Sequence, residues 1–233
     1  MESAKRYTKW AGLFIILSMI AGILSVAPSI DSPEYLSLAA ENPGQVITAA
    51  IFQFIMALLY LGFALVLYPI LKQFSRRLSL GFLGFRIVAS TLVIVGTILL
   101  ISILSLSSEF VEQTPDFGQT FEAFGKLLKI TRDSVNHGFM VFALSTANIL
   151  FYLILIKAKL VPRWLSVWGI LGAILSVLAS VLLLYQVLDV ITTEYILLNM
   201  PTAITELVLG LWLIIKGFED INFDEDRSDF LLA

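Results

Sequence analysis

Six long apolar runs constrain what this chain can fold into more than any other feature. They cover residues 10–27, 46–71, 80–106, 133–156, 163–188 and 195–216. An α-helix needs about 20 apolar residues to cross the roughly 30 Å of hydrocarbon in a bilayer, and each run is near or above that length. We therefore predict an all-α, polytopic membrane protein, with six transmembrane helices in one bundle over residues 1–218 and an acidic tail over residues 219–233.

The composition agrees with this fold class. Hydrophobic residues make up 58% of the 233 residues and charged residues 14%, and the mean hydropathy is +0.92. A soluble domain has about a quarter of its residues charged and just under half apolar, so the excess apolar surface is expected to face a lipid bilayer. The acidic tail accounts for the net charge of −3, and no basic face predicts nucleic acid as a partner.

The scarcity of soft and imidazole ligands limits the cofactors that the chain could bind. There is no cysteine and only one histidine. Disulfides, thiolate nucleophiles and cysteine-based zinc sites are therefore excluded, and so is any intramolecular site that needs several imidazoles. We expect no metal and no cofactor.

The basic residues predict how the chain is threaded through the membrane. The first run follows a basic stretch, residues 1–9, as in a signal peptide, but its length and the position of Pro28 favour an uncleaved helix. This stretch, the loops at 72–79 and 157–163 and the end at Lys216 share one side and hold most of the lysine and arginine. By the positive-inside rule, both termini are cytoplasmic in a multi-pass protein of the cell membrane.

Two loops are expected to contain helices of their own. Residues 28–44 are polar and begin and end with helix start and stop signals, which favours a short helix on the membrane surface. In the loop over residues 107–130, large apolar side chains recur at spacings of three and four: Phe117, Phe121, Phe124 and Leu128. That spacing predicts an interfacial amphipathic helix that leads into the fourth span.

Several motifs along the chain are distinctive. They are Ala21-Gly22-Ile23, Leu67-Tyr68-Pro69-Ile70-Leu71-Lys72, Gly84-Phe85-Arg86-Ile87, Arg132-Asp133 with His137, Leu160-Val161-Pro162-Arg163-Trp164-Leu165, and Glu206-Leu207 with Trp212-Leu213-Ile214-Ile215-Lys216-Gly217-Phe218. Together they resemble an uncharacterised bacterial family of six-helix membrane proteins, domain of unknown function 4386. The resemblance covers nearly the whole chain. It implies a six-helix protein of the bacterial inner membrane but no reaction, and it points to the polar residues Arg86, Asp133, His137 and Glu206.

Charged and amide side chains within the apolar runs are the first candidate site. Glu206 lies ten residues before Lys216 and Arg86 nine residues after Arg77. At about 1.5 Å per residue, Glu206 is roughly 15 Å and Arg86 roughly 10–13 Å from the cytoplasmic ends of their helices, which are similar heights. Asn148 lies at a matching height. The three residues could form a buried ion pair that holds helices together, or a carboxylate that exchanges protons or binds a cation or polar ligand with Arg86 beside it.

A second candidate site lies near the other membrane surface. Asp133 and His137 are four residues apart and therefore share one helix face, and Gln53 could reach the same level. An Asp/His pair can orient a histidine, relay a proton or supply two metal ligands. Because no second histidine is present, a metal site would need further carboxylates.

Three classes of function remain open at this point. The first is a membrane protein that binds or transports a small molecule, ion or lipid through an intramembrane polar site. The second is an intramembrane, lipid-directed hydrolase that uses Asp133 and His137. The third is a non-catalytic membrane component that docks a partner through its acidic tail or loops. The sequence also leaves open whether the chain forms a homo-oligomer.

Overall fold

The computed structural model describes residues 2–112 and 118–219, with side chains from residue 5 onward. This part of the chain is helical apart from short connections, without a strand, and six of its helices are long and apolar enough to cross a membrane. The predicted all-α fold with six spans is therefore confirmed, while the cytoplasmic placement of the termini stays a prediction. Residues 113–117, where the predicted interfacial helix would begin, lie outside the described residues, as does the acidic tail from residue 220.

Nine α-helices and one π-helical turn make up the described chain. In order they are α1 (Glu2–Leu24), α2 (Pro28–Asp31), α3 (Tyr35–Glu41), α4 (Pro43–Phe74), α5 (Arg76–Glu112), α6 (Gly118–Asp133), the π-helical turn (Ser134–Phe139), α7 (Met140–Ala158), α8 (Arg163–Leu184) and α9 (Thr193–Ile215). The spans are α1, α4, α5, α6 continued into α7, α8 and α9.

Local sequence sets several helix boundaries. Pro43 occupies the first turn of α4, where its missing N–H would have no helical acceptor. The helix α7 ends at Ala158, and the next residue, Lys159, caps it in a left-handed conformation with φ of 53°. Pro162 precedes α8, and the Thr192 hydroxyl accepts a hydrogen bond from the backbone N–H of Tyr195 at the start of α9.

The six spans pack in chain order as a closed ring. Each span contacts the next one along the chain, and α9 returns to contact α1. The turn between α4 and α5, the loop between α7 and α8, the start of α1 and the end of α9 lie at one end of this ring, where the backbone N–H of Glu219 donates to the carbonyl of Leu160 at 2.9 Å. We call it the basic end, because it carries Arg76, Arg77, Lys157, Lys159 and Arg163.

Glycines allow the ring to close between its first and last spans. A Cβ atom on Gly12 of α1 would lie 2.5 Å from the carbonyl oxygen of Gly210 on α9, and one on Gly210 would lie 2.9 Å from Ile16. Both separations are shorter than a side-chain carbon tolerates, so the close approach of α1 and α9 depends on the absence of side chains at these positions.

The opposite end of the ring carries the short helices. The helix α3 packs against α5, as does α6, and the backbone N–H of Ser29 on α2 donates to the Gln45 side chain at 3.1 Å. The amphipathic helix α6 continues into α7 through the π-helical turn without a break. Such turns insert one extra residue into a helix, often next to a functional site.

Candidate functional site

Three spans bring a charged or amide side chain to one point inside the ring. On α5, the Arg86 guanidinium donates through Nη2 to Oδ1 of Asn148 on α7, at 2.6 Å. The same amide donates through Nδ2 to Oε1 of Glu206 on α9, at 3.1 Å. Arg86 and Asn148 are 4% and 3% exposed, and Glu206 is half-buried. We call these three residues the polar centre.

The polar centre contains no direct contact between its two charges. Within the described chain, the pairs of opposite charges within 4.0 Å are Arg132 with Asp31 and Arg132 with Asp133. The amide of Asn148 instead accepts from the cation and donates to the anion, as an amide side chain can do with both of its polar atoms. Glu206 therefore keeps capacity for a further partner or a proton.

Aromatic rings surround the guanidinium. The Cζ atom of Arg86 lies 4.8 Å from the ring centroid of Phe63 and 5.6 Å from those of Tyr60 and Phe82. A cation over a ring face is attracted by the ring quadrupole, and the attraction grows where water is excluded. The Nε atom of Arg86 is buried and has no hydrogen-bond partner among the described residues. Ring contacts thus replace part of the hydration that the guanidinium has lost.

Three phenylalanines pack between the polar centre and the basic end. Phe63, Phe82 and Phe151 have ring centroids 5.2–5.9 Å apart and are at most 1% exposed. On their helices, Phe82 precedes Arg86 and Phe151 follows Asn148, so in both cases the phenylalanine is nearer the basic end. We call these residues the phenylalanine cluster. None of its three side chains carries a polar atom.

On the other side of the polar centre, buried polar side chains continue along α5 and its neighbours. Ser90 lies about one turn beyond Arg86, and its hydroxyl has no hydrogen-bond partner in the described chain. About two turns further, the Thr97 hydroxyl donates to Oε1 of Gln53 on α4 at 3.2 Å. Asn136 of the π-helical turn packs against Gly96, and both of its side-chain polar atoms are buried without a partner among the described residues.

The cavity at the polar centre is small. Its volume is about 10 Å³, and besides the polar centre it is lined by residues that include Ser18, Tyr60 and Tyr152. That volume holds about one water molecule. A lipid headgroup or a drug-sized ligand needs far more room, because ligand pockets measure roughly 300–1,000 Å³. The arrangement suits a water molecule or a proton.

The second candidate site is arranged differently from the expectation of a paired Asp133 and His137. The side chain of Asp133 lies 3.4 Å from Nη1 of Arg132, which also binds Asp31 at 2.9 Å. His137 contacts Tyr195 instead, with Nδ1 3.3 Å from the phenol oxygen. Gln53 bonds to Thr97, as described above, rather than to Asp133 or His137. No group of three His, Asp or Glu side chains in the described chain is placed to hold a metal.

A comparison with protein-family models identifies the family of this chain. The family model described as Domain of unknown function (DUF4386) matches residues 10–217, which include all six spans and every residue of the polar centre. The chain belongs to this family. Neither a search of the curated proteins nor a search of the solved structures finds a match. Membership in this family therefore identifies no activity, and the geometry of the site is the basis for a functional inference.

Sequence reasoning missed several residues of both sites. Tyr60 and the phenylalanine cluster look like ordinary core residues in an apolar run. The polar phenol group of Tyr60 is the only feature among them that could have indicated a site. Asp31 lies 101 residues from its partner Arg132, in a loop expected only to form a surface helix. Tyr195 stood at the start of the last span, where aromatic residues are common at a membrane interface.

Proposed function

We propose that this protein is a proton-handling component of the cell membrane, in which Glu206 is the proton-exchanging group. In the proposed step, Glu206 takes a proton from a water molecule or hydronium ion in the cavity and later returns it, so that no other bond forms or breaks. The observation that carries this proposal is the link from Arg86 through Asn148 to Glu206, because it holds a carboxylate near a fixed positive charge without saturating it.

The geometry favours a proton over other ligands. A metal cation would have to share a cavity of about 10 Å³ with the guanidinium of Arg86, and the two like charges repel. A lipid or a larger organic solute does not fit the volume. A proton needs no room, and intramembrane carboxylates are the usual groups of proton relays.

The surroundings of the polar centre favour proton exchange with one end of the ring. Ser90, the Thr97–Gln53 pair and Asn136 supply buried polar groups between the polar centre and the end opposite the basic end. On the other side, the apolar phenylalanine cluster separates the polar centre from buried polar groups nearer the basic end, such as the hydroxyl of Ser79, which precedes Phe82 on α5. We therefore expect Glu206 to exchange protons with the end of the ring that carries α6, which is the outer side if both termini are cytoplasmic.

Protonation would also change contacts between spans. A neutral carboxyl accepts a weaker hydrogen bond from Nδ2 of Asn148 than a carboxylate does, since charge-assisted bonds are roughly twice as strong. The hydrogen bond between α7 and α9 would weaken, and the positive charge of Arg86 on α5 would lose part of the negative charge that compensates it. Proton uptake is thus linked to the relative positions of three spans, which is how such a site could drive or sense a further event.

Infrared difference spectroscopy of the full chain in liposomes tests this proposal. Spectra recorded between about pH 4 and about pH 9 should contain a carboxyl C=O band that grows on acidification, shifts in D₂O and disappears in Glu206→Gln. Glu194→Gln is the matched control, because Glu194 is exposed near the start of the same helix. Glu206→Asp should retain a band with a changed frequency. The proposal fails if folded Glu206→Gln keeps the full band, or if Glu206 contributes no band at any pH.

The hydrolase and docking hypotheses gain no support of this kind. Asp133 and His137 bind different partners, Arg132 and Tyr195. The acidic tail proposed for docking lies outside the described residues from residue 220.

A further inference from the structure

A second, much larger cavity lies at the end of the ring opposite the basic end. Its volume is about 500 Å³, and it lies between the α2–α3 connection, α6, the end of α8 and the α8–α9 loop. Five ionisable side chains line it: Asp31 at the end of α2, Lys126 and Lys129 on α6, Asp133 at the end of α6, and Asp189 in the loop after α8. We call it the interfacial pocket.

The uncompensated charges in the interfacial pocket are separated by sign, because Asp31 and Asp133 both bind Arg132. Lys126 and Lys129 are one turn apart on α6, and Asp189 lies in the loop after α8. Asp189 follows the carboxyl terminus of α8, whose last carbonyl groups carry the negative end of the helix dipole. One part of the pocket therefore attracts an anion and the other a cation. A ligand that carries both charges a few ångströms apart complements this arrangement.

The side chains that would bind such a ligand retain free capacity. Lys126 and Asp189 are exposed, and neither side chain has a hydrogen bond or ion pair within the described residues. Lys129 donates one hydrogen bond to the carbonyl of Ser32 at 3.3 Å and lies 5.0 Å from the ring centroid of Tyr35. An ammonium group has three donors, so two remain.

The position and rim of the pocket favour a membrane lipid over a soluble zwitterion. The helix α8 has 22 residues and therefore rises about 33 Å from the basic end, which is the thickness of the hydrocarbon core. Its end, and the pocket beside it, are thus at headgroup level. The rim is apolar and accessible, with Ile130 45% and Ile191 70% exposed, and Val187 in the adjoining loop is 64% exposed. Such a rim suits the first part of an acyl chain.

We propose that the interfacial pocket binds the headgroup of a zwitterionic aminophospholipid. Its phosphate lies near Lys126 and Lys129, and its primary ammonium donates hydrogen bonds toward Asp189. A phospholipid with only a negative headgroup would leave Asp189 facing an anion. A choline headgroup carries the right charges but has no N–H to donate to a carboxylate. The inference is independent of proton exchange at Glu206, since the two sites share no residue.

Native mass spectrometry of the detergent-solubilised full chain tests this assignment. Purified protein is titrated with phosphatidylethanolamine, phosphatidylcholine and phosphatidylglycerol of identical acyl chains, and with soluble glycerophosphoethanolamine. We expect phosphatidylethanolamine to bind most tightly and the soluble headgroup to bind weakly or not at all. Replacement of Lys126 by Gln or Asp189 by Asn should each weaken phosphatidylethanolamine binding about two- to fivefold, as expected for partly exposed charge pairs.

Matched variants away from the pocket keep the test specific. Glu194→Gln removes an exposed acid five residues from Asp189, and Lys157→Gln removes an exposed lysine at the basic end; neither should change lipid binding. The charge-reversed double variant Lys126→Glu/Asp189→Lys should bind less phosphatidylethanolamine than either single variant. The proposal is overturned if the three lipids bind equally, if the soluble headgroup binds as well as the lipid, or if pocket and control variants behave alike.

Discussion

At the middle of the bundle, Arg86 reaches Glu206 only through the amide of Asn148, whereas at the opposite end Arg132 contacts Asp31 directly at 2.9 Å. Both clusters place an arginine that is under a tenth exposed near carboxylates. In the Arg132 cluster the carboxylates bind the guanidinium themselves, so their charge is already compensated. In the polar centre the amide stands between the charges, and the carboxylate remains available for a proton.

Charge content alone therefore does not mark a functional site in a membrane bundle. A direct ion pair that joins α2 and α6 over 101 residues of sequence mainly fixes the relative position of these two helices. An ion pair interrupted by a neutral group retains an unsaturated partner at the same depth. The following predictions probe that contrast, beginning with the largest effect.

Replacing Arg86 by Met should produce the largest loss of stability. The substitution leaves the Glu206 carboxylate and the Asn148 amide in an apolar interior without the cation, and breaking a buried charge pair in this way costs about 3–5 kcal/mol. Thermal and denaturant unfolding in detergent would measure the change in the free energy of unfolding. The exposed Arg77, on the same helix, supplies the control Arg77→Met, which should change stability by at most about 0.5 kcal/mol.

A second substitution distinguishes the loss of charge compensation for Glu206 from the loss of side-chain packing at position 86. If the isolated carboxylate causes the instability, Arg86→Met combined with Glu206→Gln should recover most of the lost free energy. Equal stability of Arg86→Met and Arg77→Met would contradict the central role of this guanidinium.

An intermediate effect is expected for Asp31→Asn in the Arg132 cluster. The Asp31 side chain is 27% exposed and Arg132 keeps its contact with Asp133, so the loss should be about 1–2 kcal/mol, as for a hydrogen bond to a charged group. The same unfolding measurements apply, with exposed Glu34→Gln as the matched control. A loss as large as that of Arg86→Met would remove the contrast between the two clusters.

The smallest effect is expected for Tyr195→Phe. This variant deletes the phenol that lies 3.3 Å from Nδ1 of His137, a neutral contact at the rim of the bundle, and should reduce stability by about 0.5–1 kcal/mol. Tyr185→Phe serves as the control because Tyr185 is 78% exposed. Nitrogen chemical shifts of the single histidine should change in the first variant and stay constant in the second.

The sequence predicted the spans well because hydropathy reports directly on which segments can leave water. Counting residues from the basic ends also placed Arg86, Asn148 and Glu206 at one height, since an α-helix rises by a fixed distance per residue. Hydropathy says nothing about which faces of the helices meet. That Asn148 lies between the charges, and that α9 packs against α1, depends on lateral packing and could not be deduced.

The opposite end was harder to predict for two physical reasons. The contact between Asp31 and Arg132 joins α2 and α6, two helices whose relative position follows from tertiary packing rather than from a periodic pattern. The π-helical turn shifts the register of Asn136 and His137 relative to Asp133, so the four-residue spacing of a regular helix does not apply there. The expected Asp133–His137 pairing assumed that regular spacing.

The contact between Gly12 and Gly210 has a consequence for biogenesis. The first helix to enter the bilayer must wait for the last one to be synthesised before the two can meet. The carboxylate of the polar centre also arrives only with this last helix, because Glu206 lies on α9. During that interval the guanidinium resides in a five-helix intermediate without its acidic counterpart. Release of a chain that ends before α9 would therefore yield a protein with an uncompensated charge in lipid, the kind of species that membrane proteases remove.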